Sequence, residues 1–315
     1  MTVSGLYDYT ARRLQQGLNY IMPTVQWSGL RFSQAGLIAG PDKSVTNLYL
    51  YGMFEYRGEA VVHAAVIPGP KLKRFKHFTQ ALVHLACDFT RSDGGLSEPN
   101  EIRTFIVLGC SRSGTSLLSG ILHESGVNMG HRFGGVDEIN PVGFYENLDF
   151  ADLNIQILKT LGIEHMATVP PEMVENATQM EIEIAAAIVK NASGDWGWKD
   201  PRTVILWPWY ERCLCEMLHP HLIITHRGRE ELLRSWLRTG QIKSRGQGEM
   251  LAGYFDLRLI EIERDTGYPT LHIQFEDWWD DLDEQVARLA EFTGHEINTG
   301  HFDPALRRAN NKENE

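Results

Sequence analysis

Long apolar runs are missing from this 315-residue sequence. A helix that crosses a bilayer needs about twenty consecutive apolar residues, so no transmembrane segment is expected. The first stretch, "MTVSGLYDYTARRLQQG", has no basic start followed by an apolar core, which argues against a secretory signal. Cysteine is scarce. Cys87, Cys110, Cys213 and Cys215 are too few and too irregular for a disulfide framework, and the lone Cys-x-Cys pair has no second ligand pair for zinc. A reduced, cytoplasmic protein without a metal site is the expectation. Positive charge is short as well. Lys and Arg number 30 against 41 Asp and Glu, a net charge of −11, which excludes a general nucleic-acid binder. The field of such a molecule repels polyanions, so an anionic ligand must be held by local donors and helix ends. Internal repeats are absent too.

What is there falls into two parts. "RSDGGLSEPNE", Arg91 to Glu101, is rich in Gly, Ser, Asp and Pro and marks a boundary. The expected division is a small α+β region over 1–98 and a larger domain over 99–315. In the first part, "NLYLYGMFEYRGEAVVHAAVIPGP" alternates as two strands joined at Arg57-Gly58, and Phe75, Phe78, Leu82, Leu85 and Phe89 follow at helical spacing. It carries no chemical motif. His63, His77 and His84 lack the paired spacing of metal ligands.

In the second part strands and helices alternate, the pattern of a parallel sheet with crossover helices. Thr104–Gly109 forms a buried strand and Thr115–Ser125 its helix, closed by Gly126. Helices are expected over Phe150–Leu161, over Glu172–Asn191, and from Pro208 to Leu218. "DWGWKDPR", "HLIITHR" and "YPTLHIQFE" supply further strands, and "EELLRSWLRTG" and "DDLDEQVARLAEFTG" further helices.

"FIVLGCSRSGTSLLSGILHESG", Phe105 to Gly126, has the layout of a loop that cradles phosphate. Gly109 and Gly114 bracket a turn, backbone N–H groups converge there, and the helix start adds partial positive charge. The lysine that normally follows the second glycine of a nucleotide-binding loop is replaced by Thr115. Arg112 is the cation of the loop, and Ser113, Thr115 and Ser116 bring hydroxyls. Without that lysine, and without a clear aspartate ending an apolar strand, a metal–triphosphate site is disfavoured. A cysteine phosphatase needs an arginine six residues after Cys110, where Ser116 stands. A serine-hydrolase elbow needs glycine where Ser113 stands. Further on, Arg227 ends a strand and Ser235 follows eight residues later on a helix. A guanidinium fork plus a hydroxyl suits a terminal phosphate.

The loop "GCSRSGTS", with a strand-end arginine and a serine eight residues on, resembles the sulfotransferases that use 3′-phosphoadenosine 5′-phosphosulfate (PAPS). "DEINPVGFYEN", "WGWKDPR", "FEDWWDDLDEQVARLAEFTGHE" and "HFDPALRR" resemble landmarks of bacterial members, so the likeness spans about residues 101–310. It implies an α/β fold with a P-loop NTPase-like parallel sheet flanked by helices, and transfer of a sulfuryl group to a hydroxyl or amine. PAPS would be co-substrate, 3′,5′-adenosine diphosphate (PAP) the product, and no metal would be needed. Arg112, Ser113, Gly114, Thr115 and Ser116 would grip the 5′-phosphosulfate, and Arg227 and Ser235 the 3′-phosphate. Arg307 and Arg308 would close over the latter. Lys199 would contact the bridging or sulfuryl oxygens. The base that takes the acceptor's proton would be Glu138, with Glu146 and His131 as alternatives. Arg202 would orient the acceptor or brace Asp200. The acceptor would be a small molecule, a carbohydrate or a lipid. The rival readings are a small-molecule kinase or NTPase on the same scaffold, and a nucleotide-binding protein without catalysis.

Overall fold

In the computed structural model, the described residues are 31–39, 48–56, 59–67, 79–80, 83–84, 86–87, 101–135, 143–163 and 178–304. In chain order the strands are β1 (Arg31–Ala39), β2 (Leu48–Tyr56), β3 (Glu59–Ile67), β4 (Arg103–Leu108), β5 (Asp195–Lys199), β6 (Pro220–His226) and β7 (Thr270–Gln274). The helices are α1 (Thr115–Glu124), α2 (Leu148–Thr160), α3 (Thr178–Asn191), α4 (Arg202–Glu211), α5 (Arg229–Arg238), α6 (Arg245–Thr266), α7 (Asp277–Asp280) and α8 (Leu282–Thr293). Two compact units result. One comprises Met1–Ile102, Glu172–Gly194 and Pro208–His219, the other Arg103–Pro171, Asp195–Trp207 and Pro220–Glu315.

The first unit contains an antiparallel sheet in the order β1-β2-β3. Tyr56 pairs with Glu59, the hairpin that the alternation predicts, and β1 is an additional strand whose register slips between Phe32 and Gln34. The described residues of the expected helix, 79–80, 83–84 and 86–87, are helical, with Val83, Ala86 and Cys87 fully buried. Phe75, Phe78, Leu82, Leu85 and Phe89 lie outside the described residues, as does His77. Thr79 Oγ1 donates to the Arg212 carbonyl at 2.5 Å, and Arg212 pairs with Glu181 on α3 at 2.6 Å.

The second unit is a four-stranded parallel sheet in the order β5-β4-β6-β7. β4, "RTFIVL", is buried from Thr104 to Leu108, the continuous apolar run of a strand covered on both faces. Gly197 lets β5 approach it: a Cβ there would sit 2.0 Å from the Phe105 carbonyl oxygen. On α1, Leu117, Leu118, Ile121 and Leu122 join Phe105, Val107, Ile223, Ile273 and Leu289 in one core. The Asn147 side chain caps α2 by accepting from the Asp149 N–H at 3.1 Å, and Asp281 caps α8. No helix among the described residues is long and apolar enough to cross a membrane.

One helical expectation is corrected. The helix expected to start at Pro208 starts at Arg202, and Glu216–Leu218 is a separate 3₁₀ turn. Asp200-Pro201 is the true start signal: the Arg202 N–H donates to Asp200 Oδ1 at 2.8 Å, and proline fits the first turn. Pro208 is carried inside α4. Helix α6 is an addition to the expected elements. Its polar face is broad and its buried residues are few (Gly248, Ala252, Phe255, Leu259 and Ile262), so the apolar period is faint in the sequence.

The strand order fixes where a ligand fits. From β4 the chain moves to β5 on one side, and from β6 to β7 on the other. The crevice at the carboxyl ends of β4 and β6, where these directions diverge, is where open α/β sheets bind ligands. The Gly109–Gly114 loop follows β4, and Arg227 follows β6.

Candidate active site

The loop is built by backbone geometry that glycine and one strained arginine supply. Gly114 has φ 97°, and a Cβ on it would lie 2.3 Å from Phe275 Cδ2. Arg112 is left-handed at φ 70°, a conformation that costs a non-glycine residue about 1–2 kcal/mol. A Cβ on Gly109 would meet Thr225 Oγ1 at 2.4 Å. Ser113 is turned inward: its hydroxyl bonds the Cys110 carbonyl and Thr225 Oγ1, each at 2.7 Å. Its role is therefore to lock the turn against β6. Trp236 Nε1 donates to the Ser111 carbonyl at 2.9 Å, and Ser111 Oγ donates to Gln241 at 2.7 Å, which ties the outer side of the loop to α5 and its C-terminal turn. No side chain among the described residues caps α1 at Gly114. Thr115 and Ser116 open that helix, and a helix start of this kind suits an anion.

Arg112, Arg227 and Ser235 converge on this loop. Arg227 Nη1 donates to the Arg112 carbonyl at 3.0 Å, and Arg112 Nε donates to Ser235 Oγ at 3.2 Å. Arg227 lies 4.7 Å over the Phe275 ring, and its side chain is only 8% exposed. Its Nε is buried with no acceptor among the described residues. A buried guanidinium N–H without a partner costs free energy. Glu231 is a distant partner for Arg227 at 3.4 Å.

Lys199, at the end of β5, sits one strand away, paired in register with Val107 just before the loop. Its side chain is 2% exposed, and its ammonium donates to the Phe144 carbonyl and to Glu146 Oε1, both at 2.9 Å. The other Glu146 oxygen accepts from Arg202 Nη2 at 2.9 Å. Arg202 Nε in turn binds Asp200 at 2.7 Å, and Asn154 donates to Asp200 Oδ2 at 3.0 Å. Two cations and two carboxylates thus neutralise one another in a buried chain. Burial pushes the Asp200 carboxyl above its ordinary range, against the pull of Arg202. Of the two roles open to Arg202, the bracing of Asp200 is the one the geometry displays. Asn154 is a member with no signal in the sequence. The Asp-Pro helix start was the available signal for Asp200 and Arg202, and Phe275 had none.

Other expected site residues are placed elsewhere. His131 is exposed, with Nε2 3.5 Å from Asn128 Nδ2. Glu138, Arg307 and Arg308 lie outside the described residues. Trp196, Trp198, Trp209, Trp236 and Trp278 are core residues, fully buried. Burial pushes the Cys110 thiol up to about 12, so it stays protonated in the loop. All four cysteines are free thiols.

No family profile and no curated protein matches the chain. Among solved structures the chain is similar to the sulfotransferase domain of the Synechococcus PCC 7002 olefin synthase, with a TM-score of 0.40 and 15% identity over 66% of this chain and 79% of that one. It is similar to the sulfotransferase domain from the curacin biosynthetic pathway (TM-score 0.39, 14% identity, 66% and 77% covered). A third is a sulfotransferase of Mycobacterium tuberculosis (TM-score 0.37, 14% identity, 77% and 80% covered). Likeness at this level adds nothing to the strand order and register, on which the fold rests.

Proposed function

We propose that this protein transfers a sulfuryl group from PAPS to a hydroxyl or amine of a small-molecule, carbohydrate or lipid acceptor. The observation that carries the reading is the corner made by Arg112, Arg227 and Ser235, with Arg227 Nε buried and lacking an acceptor among the described residues. Two anion positions lie near each other there: the start of α1 and the Arg227 corner. A ligand with phosphates at both ends of one nucleoside uses both.

The residues divide by the charge they meet. The α1 N–H groups, Thr115, Ser116 and Arg112 hold the 5′-phosphate. Arg227 and Ser235 hold the 3′-phosphate. Lys199 faces the bridging and sulfuryl oxygens, where charge builds on the leaving group. A carboxylate removes the acceptor's proton, and Glu146 is the one the described residues place beside Lys199. A sulfuryl group carries less charge than a phosphoryl group, so arginine and lysine suffice where a phosphoryl-transfer loop holds lysine and Mg²⁺.

Thermal-shift titration tests the proposal. PAP should stabilise the protein without Mg²⁺ and more strongly than Mg·ATP does. Preference for Mg·ATP would favour a kinase or NTPase and end this reading.

A further inference from the structure

Lys199 and Glu146 are joined in a way that neither could keep during a sulfuryl transfer. The ammonium has three N–H donors. Two are given to the Phe144 carbonyl and to Glu146 Oε1, and the side chain is 2% exposed. In this state the lysine is sealed from a donor, and the carboxylate that would act as base is bound by a cation. The segment that seals it is strained at Tyr145, a left-handed non-glycine residue with φ 49°. Such strain persists only where the surroundings hold it. Here they hold the Tyr145 ring, packed 4.7 Å from His301 and 5.1 Å from Phe133.

We infer that Gly143–Glu146 is a latch over Lys199, opened by the sulfonate of the donor, so that Glu146 becomes a base only when the donor is in place. The inference rests on the function proposed above. On opening, the Lys199 ammonium leaves Glu146 Oε1 for the sulfonate oxygens. Arg202 Nη2 stays on Oε2 and keeps the carboxylate in position. The acceptor hydroxyl then gives its proton to Oε1 as its oxygen bonds to sulfur. The bond from sulfur to the 5′-phosphate oxygen breaks, and its electron pair leaves on that oxygen. Until then the base is masked, which imposes an order: donor before acceptor.

PAP, which lacks the sulfonate, separates the latch from donor binding as such. Hydrogen exchange on the full chain would be compared with saturating PAP and with saturating PAPS. Both should protect Gly109–Ser116, and only PAPS should speed exchange at Phe144–Glu146. Equal exchange at Phe144–Glu146 in the two complexes overturns the latch. Absence of protection at Gly109–Ser116 overturns the proposed function, and the latch with it. Affinity gives a second measure. In Glu146→Gln the amide holds the ammonium less firmly, so the preference for PAPS over PAP should rise about tenfold, the worth of one weakened charge-assisted hydrogen bond. A base with no latch role would leave that ratio where it was, and an unchanged ratio overturns the inference.

Discussion

Arg227 Nη1 donates to the carbonyl oxygen of Arg112 at 3.0 Å. This bond joins the end of β6 to the most strained residue of the loop after β4. The cation that would hold one phosphate thus shapes the loop that would hold the other. The Arg112 side chain returns the contact by reaching Ser235, on the helix that follows Arg227. The two positions proposed for anions are therefore one construction.

Arg227→Ala should weaken PAP binding by about 1.5–3 kcal/mol, the range for a hydrogen bond to a charged group. The discriminating comparison is adenosine 5′-phosphate, which lacks the 3′-phosphate. Titration should show PAP favoured over adenosine 5′-phosphate in the wild type, and the preference largely gone in the variant. Equal losses for both ligands would place Arg227 in loop support alone.

Gly114→Ala should lower stability by about 1–3 kcal/mol, the scale of a side chain held in a left-handed conformation. The new methyl would also press on Phe275, 2.3 Å away, the ring that carries Arg227. Denaturant unfolding reads the first effect, and PAP titration reads the second as a loss of affinity. A variant of wild-type stability would mean that the loop can relax around a Cβ.

Asp195 gives a pH prediction. Burial raises its carboxyl, but bonds from Arg103 and His295 outweigh this and hold it below the ordinary carboxylate value. A depressed folded-state value means that the contribution is present above the unfolded value, near pH 4, and is lost as pH falls through the folded one. The partners are about a quarter exposed, so about 1 kcal/mol is expected once solvent screening is counted. Asp195→Asn should be less stable than wild type at pH 7, with the gap closing below pH 4. A constant gap in unfolding experiments from pH 7 to pH 3 would detach the effect from this carboxylate.

The sequence made the sheet and the loop legible, because their signals are local. β4 ends in an unbroken apolar run from Phe105 to Leu108, and the glycines and small residues of the loop fall at fixed spacing before α1. Arg227 and Ser235 were readable because eight residues span one strand end and two helical turns. The polar chain from Lys199 to Asn154 was not readable as a unit. Asn154 comes from α2, Glu146 from the stretch before it, and Asp200 and Arg202 from the turn after β5, so only the folded sheet brings them together. Ser113 adds a contact that its place in the loop does not announce: Thr225, 112 residues away, bonds its hydroxyl.

Arg202 tests how far that chain is structural. Removing one partner from a buried ion pair costs about 3–5 kcal/mol, because it strands the others. Arg202→Ala leaves Asp200, fully buried, with Asn154 as its remaining side-chain donor among the contacts described here, and leaves Glu146 with Lys199. A large loss of stability is expected. Arg202→Lys should recover little of it, since one ammonium cannot reproduce the fork that spans Asp200 and Glu146. Full recovery by lysine, read from denaturant midpoints, would reduce Arg202 to a simple charge.

Lys199→Ala separates chemistry from binding. If the lysine meets charge that develops on the leaving oxygen, its loss should lower turnover by about 10²–10³-fold, as loss of one transition-state donor does. PAP carries the 5′-phosphate but no sulfonate, so its affinity should fall far less than turnover. The same substitution removes one of the two cations on Glu146 and leaves Arg202 on the other oxygen, so the base is present and the support of the lysine is missing. Single-turnover rates with saturating PAPS, set beside PAP affinities, read the two effects apart. A parallel fall in both would move Lys199 from the reaction centre to the binding of the 5′-phosphate.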